Sequence, residues 1–222
     1  MCQYFSAIAL PNGDLLHHDS TDSHEDLVAH FGLNDNRLGR FARIEYHPES
    51  VKHLADITKY VLKLDENEKP KWWTNDFADK IESKCRVICA ARIVIKDRDI
   101  LLGGPWIVAS EAKIGKVYNA RILAVIDSAS IQNVWGSASI QNVWGSASIQ
   151  NVWGSASIQD VRDSASIQNV WGSASIQDVW GSASIQNVLG SASIQNVGGS
   201  ASIHNVGGSA ILDNSAKSHI PK

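Results

Sequence analysis

The sequence predicts a mainly β chain, a parallel β-solenoid behind a small α+β domain. Three observations predict it. From Ser128 the unit SASIQNVWG recurs every nine residues, anchored on Ala129, Ala138, Ala147, Ala156, Ala165, Ala174, Ala183, Ala192, Ala201 and Ala210. Every full unit carries Ala and Ile two positions apart and Val three further on. A column of Gly and Asp recurs with the same period, from Asp127 through Gly136, Asp163 and Gly172 to Gly208.

Ala129 and Ile131, two apart, point inward from one short strand. Val134 breaks that alternation, so a bend lies at Gln132-Asn133 and a second at Trp135-Gly136. Gly and Asp share little except tolerance of positive φ, which places their column in the left-handed region. A helix is disfavoured by the recurring Gly and the frequent β-branched residues. Nine extended residues span at most ~30 Å, too little to close a ring around two layers ~10 Å apart. Two units therefore make one coil, and unit n stacks on unit n+2. Fainter copies extend the array upstream. Ala120-Arg-Ile122-Leu-Ala-Val125 keeps the spacing, and Ala112-Lys-Ile114-Gly-Lys-Val117 keeps it with one residue missing before the next anchor. These set the expected domains: 1–109 as an amino-terminal cap, 110–212 as the solenoid and 213–222 as a polar tail.

The eighteen-residue coil resembles the calcium β-roll of secreted toxins, but SASIQNVWG has no carboxylate, so calcium binding is not implied. The chain more closely resembles bacterial and phage proteins with many Ser-Ala-x-Ile/Val-x-x-Val units behind a short amino-terminal domain. That resemblance extends to the SHEDLV segment and the LLGGPWI lead-in. It implies the fold and no activity.

In the amino-terminal domain, residues 3–10 and 14–18 predict a hairpin around Pro11-Asn12-Gly13. Ser23 and Asp26 open a helix with Leu27, Val28 and Phe31 on one stripe and Gly32 as its stop. Strands follow at 41–46 and 59–64, with a short helix at 50–58 between them. Residues 76–91 predict a helix with Phe77, Ile81, Cys85 and Ile88 on one face. Residues 92–96 and 100–102 then suggest a hairpin into the coils.

The chain has 20 Lys+Arg and 23 Asp+Glu, a balance that argues against a nucleic-acid footprint. Residues 127–222 hold only 3 and 5 of them. Three cysteines and no export signal predict free thiols and a cytoplasmic location. No apolar run reaches the ~20 residues of a membrane helix.

Alternate units build two edge columns. One reads Tyr118, Trp135, Trp153, Trp171, Leu189, Gly207. The other reads Ile126, Trp144, Arg162, Trp180, Gly198. The rings either stack as covers for the bends or form an apolar strip for self-association. A platform for sugars or bases is a third reading. Ser128, Ser137 and Ser146, with Ser130, Ser139 and Ser148, form hydroxyl columns for which an ice lattice is the special reading. Asn133, Asn151 and Asn169 predict an amide ladder. Asp160 and Asp178 interrupt the opposite one beside Arg162.

Three constellations in the first domain have residue types suited to chemistry. His17, His18, Asp19, Asp22, His24, Glu25 and Asp26 suit a transition metal by type, but no pair has a diagnostic spacing. Cys85 and Cys89 share one helix face and read as buried thiols. Cys2 is placed as an amino-terminal nucleophile would be, yet Gln3 follows it where such enzymes carry Gly. The expectation is no catalytic residue, metal or cofactor. The leading function is a non-enzymatic solenoid that self-associates or meets another protein through Tyr118, Trp135, Trp144, Trp153, Arg162, Trp171 and Trp180. The alternative is a binding or enzymatic module in residues 1–110 on a solenoid stalk.

Overall fold

Polar side chains make the first turn. Asn12 donates from its amide to the Asp14 carboxylate (2.7 Å) and accepts from the Asp14 N–H (3.0 Å). This joins β1 (Ser6–Ala9) to β2 (Leu15–Leu16) in the expected antiparallel hairpin. Ser23 Oγ caps α1 (His24–His30) by accepting from the Asp26 N–H, satisfying one free donor of the first turn. Strands β3 (Ala42–Pro48) and β4 (Tyr60–Leu64) complete an antiparallel sheet in the order β2-β1-β3-β4. Alternation in β1 divides two clusters. Ile8 packs with Leu27 of α1 and Phe41. Ala7 and Ala9 pack with Ile81, Cys85 and Cys89 of α2 (Asn75–Arg92).

The computed structural model describes residues 4–34 and 40–213. The single helix expected at 50–58 is instead two 3₁₀ turns, Val51–His53 and Ile57–Lys59. Asp56 separates them. Its carboxylate accepts from both the Thr58 N–H (3.0 Å) and the Thr58 hydroxyl (2.6 Å), a local bond that starts a new turn.

The chain divides into two compact units between Arg92 and Ile93. The second unit opens with β5 (Ile93–Val94), β6 (Arg98–Val108) and β7 (Lys113–Val125). The hairpin expected at 92–102 is not formed. β5 pairs in parallel with the far end of β6, Ile93 opposite Ile107, and β6 pairs in parallel with β7. The lead-in is thus already coiled.

Ten short strands follow: β8 (Ser130–Trp135), β9 (Ser139–Val143), β10 (Ser148–Val152), β11 (Ser157–Val161) and β12 (Ser166–Val170), then β13 (Ser175–Val179), β14 (Ser184–Val188), β15 (Ser193–Val197), β16 (Ser202–Val206) and β17 (Ile211–Leu212). With β5, β6 and β7 they form a parallel β-solenoid of about seven turns. Units two apart stack in register: Ile131 on Ile149 on Ile167 in one layer, and Ile140 on Ile158 on Ile176 in the other. Every anchor Ala from Ala129 to Ala192 is buried, with the Ile and Val between them, in one continuous core. Inward burial of Val134, Val143 and Val152 is therefore as expected.

The Gly/Asp column has φ of 66–73° at Gly136–Gly208 and 59–61° at Asp163 and Asp127. A Cβ on Gly154 would approach the Gly136 backbone to 3.3 Å. Asp is tolerated because its side chain works in the stack: Asp163 accepts from the Gly145 N–H (3.1 Å) and Asp127 from the Ser110 N–H (2.9 Å). The residue missing upstream can now be located. Tyr118 opposes Trp135 and Arg121 opposes Ser139, so Asn119-Ala120 spans what Gly136-Ser137-Ala138 spans. Asn119 takes the left-handed corner at φ 47°, and its amide oxygen accepts from the Ser137 N–H (2.8 Å).

β7 pairs with both β8 and β9, so it covers one edge of each layer. A fragment starting at Ser128 exposes those edges to other chains and is expected to aggregate. A fragment starting at Ile93 retains them covered. Light scattering of the two purified fragments checks this, and a monodisperse, β-rich Ser128 fragment would contradict it.

Candidate functional site

After each Val the chain turns through the left-handed corner, and the residue at the turn leaves the core. Ladder pairing places Leu102, Tyr118 and Trp135 in consecutive coils, followed by Trp153, Trp171 and Leu189. Leu102 is 54% exposed, and the other five are 37–44% exposed. Tyr118 meets Trp135 at a ring separation of 4.7 Å, and Trp135 stacks on Trp153 at 5.7 Å with planes 22° apart. Trp135 and Trp153 thus stack face to face, whereas Tyr118 is tilted 45° against Trp135. The strip is one coil longer than the sequence indicates. Leu102 was missed because β6 carries Arg98 in the Ile column, opposite Ile114, which hides the repeat there.

The second column behaves differently. Ile126 is buried, and Trp144 and Trp180 are half-buried. Trp144 Nε1 is buried without a hydrogen-bond partner among the described residues. The Trp180 ring lies over the next coil, where a Cβ on Gly198 would fall 2.0 Å from it. Arg162 interrupts the column and donates to Asp160 (2.6 Å). The seven residues thus divide into an apolar strip (Tyr118, Trp135, Trp153, Trp171) and a column folded onto its own surface (Trp144, Arg162, Trp180).

The amide ladder forms as the spacing indicates. Asn151, Asn169, Asn187 and Asn205 each donate to the Asn one coil earlier, at 2.8–3.0 Å. Across the coil, Asn142 donates to Leu123 O (3.0 Å) and Asn196 to Asp178 (2.8 Å). Asp178 stacks on Asp160 and has no amide to donate. Asp160, only 6% exposed, takes its partner from Arg162 instead.

On the two flat faces the Ser and Gln columns flank shallow troughs of about 740 and 360 Å³. One is lined by Ser130, Ser148 and Ser166 with Gln132, Gln150 and Gln168. The other is lined by Ser139, Ser157 and Ser175 with Gln141, Gln159 and Gln177.

In the first unit, the residues singled out for metal chemistry are dispersed. His18 meets Ser20 (2.7 Å), Asp19 pairs with Arg92, and His24 lies between Ile44 O (3.0 Å) and Asp65 (3.2 Å). Burial and the Arg92 charge hold the His17 pKa below 6.5. Among the described residues no three His, Cys, Asp or Glu side chains gather as a metal set would require. Cys2 lies outside the described residues. Cys85 and Cys89 are buried thiols outside any disulfide, and burial pushes the Cys85 thiol far above its usual range. A depression between β2 and α2 is lined by Asp14, Leu15, Leu16, Ser83, Lys84, Val87 and Ile88. Its ammonium is engaged, since Lys84 donates to Gly13 O. Among the described residues no helix is long and apolar enough to cross a membrane.

Comparison with protein-family models, curated proteins and solved structures finds no match to this chain.

Two measurements check the side-chain accounts. Asp178→Asn supplies the missing donor to Asp160 and is expected to stabilise the protein by about 1 kcal/mol in a denaturant titration. A loss of stability would contradict the ladder. Cys85, lacking thiolate at pH 8, is expected to escape iodoacetamide in the folded protein and react in urea, as peptide mapping would show.

Proposed function

We propose that the chain is a non-enzymatic interaction protein whose solenoid self-associates side by side through the strip Leu102, Tyr118, Trp135, Trp153, Trp171 and Leu189. The carrying observation is that strip: six successive apolar side chains, all exposed, on one edge of an otherwise small and polar array. At ~4.8 Å per coil it runs about 24 Å. Two-fifths of a large side chain's ~200 Å² is ~80 Å², so the strip exposes roughly 500 Å², near the upper range of single patches on monomers. Two strips packed together bury roughly 1,000 Å², the lower bound of a specific interface. The Trp135–Trp153 stack occupies ring faces that a sugar or base would need. That suits interdigitation with a second strip better than stacking on a sugar or base.

A binding or enzymatic module in residues 1–110 requires polar groups converging in a concave site. The depression beside β2 offers four apolar side chains, Ser83, an Asp14 already bonded to Asn12 and an engaged lysine. An ice-binding lattice requires a flat rank of short side chains, whereas long Gln columns stand beside the Ser columns here. Both readings therefore rank below self-association.

Replacing Trp135, Trp153 and Trp171 with Ser is expected to shift the oligomer toward monomer with an unchanged far-ultraviolet spectrum, since none of the three lies in the core. Large aromatics carry most interface energy, so a loss of tenfold or more in association is expected by sedimentation. Wild-type protein that is monomeric at tens of micromolar would overturn the reading.

A further inference from the structure

The apolar strip has two defined ends. β5 meets β6 only where Ile93 and Val94 oppose Ile107 and Val108, so among the described residues no corner side chain precedes Leu102 in its column. Gly207 follows Leu189 and has no side chain to extend it. Between these ends the order is Leu102, Tyr118, Trp135, Trp153, Trp171, Leu189, a leucine at either end with four rings between. By size and polarity that order reads alike from both ends. Its midpoint falls between Trp135 and Trp153, whose planes lie 22° apart.

Each of these side chains is a ridge, one coil or ~4.8 Å from the next. The ring separations of 4.7 and 5.7 Å leave no room for another ring, which needs ~3.5 Å on either side. Two strips therefore interdigitate only shallowly, ridges in grooves, half a coil out of step. Symmetry selects how this is done. A two-fold axis along the strip holds each coil level with its own copy and sets ridge upon ridge. Adding the half-coil shift turns that rotation into a screw, which does not close on two copies. A two-fold axis across the strip reverses the partner. Its position along the strip is free, so the half-coil step and a closed dimer are compatible.

We infer that the second copy lies antiparallel on the strip, about a two-fold axis that crosses it between Trp135 and Trp153. The inference rests on the self-association proposed above and adds its direction and register. Leu102 packs beside the partner's Leu189, Tyr118 beside the partner's Trp171, and Trp135 beside the partner's Trp153, each within half a coil. Rings meet rings and leucines meet leucines. The whole strip is covered, as an interface of only roughly 1,000 Å² requires; a slip of one further coil leaves an apolar side chain bare at an end of each copy. The contact is isologous, so it closes at two copies and does not propagate into a filament.

The test uses the full chain with Cys2→Ser, which leaves the buried Cys85 and Cys89, and one nitroxide placed through Ser137→Cys, Ser155→Cys or Ser191→Cys. These serines are exposed and lie two residues past Trp135, Trp153 and Leu189. Pulsed dipolar spectroscopy reads the distance between the two like labels of a dimer. Along the axis an antiparallel pair separates them by at most ~7 Å at 137 and 155 and by ~22–26 Å at 191. The distance is expected to be short at 137 and 155 and longest at 191. One distance at all three sites, in protein that still sediments as a dimer, would overturn the antiparallel register and leave self-association standing; a monomer would overturn both. A second measurement needs no label. Leu102→Glu and Leu189→Lys lie ~24 Å apart within one chain, and each alone is expected to weaken association. Combined, they set each new carboxylate beside the partner's new ammonium and are expected to associate about tenfold more tightly than either alone. A double variant that associates no more tightly than the single ones would contradict the register.

Discussion

A parallel, in-register stack sets nearly every residue of the regular coils upon its own kind, and much of this structure follows from that constraint. Backbone ladders join positions eighteen apart, so Ile lies on Ile, Asn on Asn and Ser on Ser. Only side chains compatible with their own copy at ~4.8 Å can be repeated. Branched aliphatics pack, amides both donate and accept, and aromatic rings stack. A carboxylate does none of these, and at Asp160 and Asp178 the amide ladder is interrupted until Arg162 supplies a donor. The scarcity of charge in residues 127–222 is thus a property of the stack before it is a property of any partner.

The corners carry the second requirement. Each coil must turn in few residues while keeping Ser N–H groups bonded to the previous corner, as Ser155 is to Gly136 O (3.1 Å). A left-handed residue does this; Ser110 fills one such corner without Gly, and at three others an Asx side chain takes up a neighbouring N–H. Asn119, Asp127 and Asp163 are three cases of one solution. Asn119 shows that even a coil shorter by one residue can hold the register.

The regular solenoid was legible because its signals agree: period, inward spacing and turn residue all demand the same coil. The lead-in was not, since Arg98 occupies the Ile column and Lys96-Asp97 imitates a hairpin turn. Pairing between Ile93 and Ile107 is set by the tertiary stack and leaves no local mark. The 3₁₀ turns around Asp56 were missed because an Asx bond competes with the helix over two residues, below the scale of a periodic pattern. At the candidate site, the two columns look alike in sequence. Their difference, exposed rings against rings laid on the surface, arises from what lies ahead in each stack: Trp after Trp on one edge, Arg162 and Gly198 on the other.

The proposed function follows from the same constraint. Repetition that stacks like on like also lines like residues up at the surface, so one apolar corner residue becomes a strip. That strip is a consequence of alternate units sharing a column, and pairs of spin labels test that directly. Labels at Gln150 and Gln168, eighteen apart, are expected within about 5–10 Å at their attachment points. Labels at Gln150 and Gln159, nine apart, are expected on opposite faces, beyond the ~10 Å layer spacing. Strong coupling for the first pair and weak coupling for the second is the predicted result; the reverse order would contradict the account.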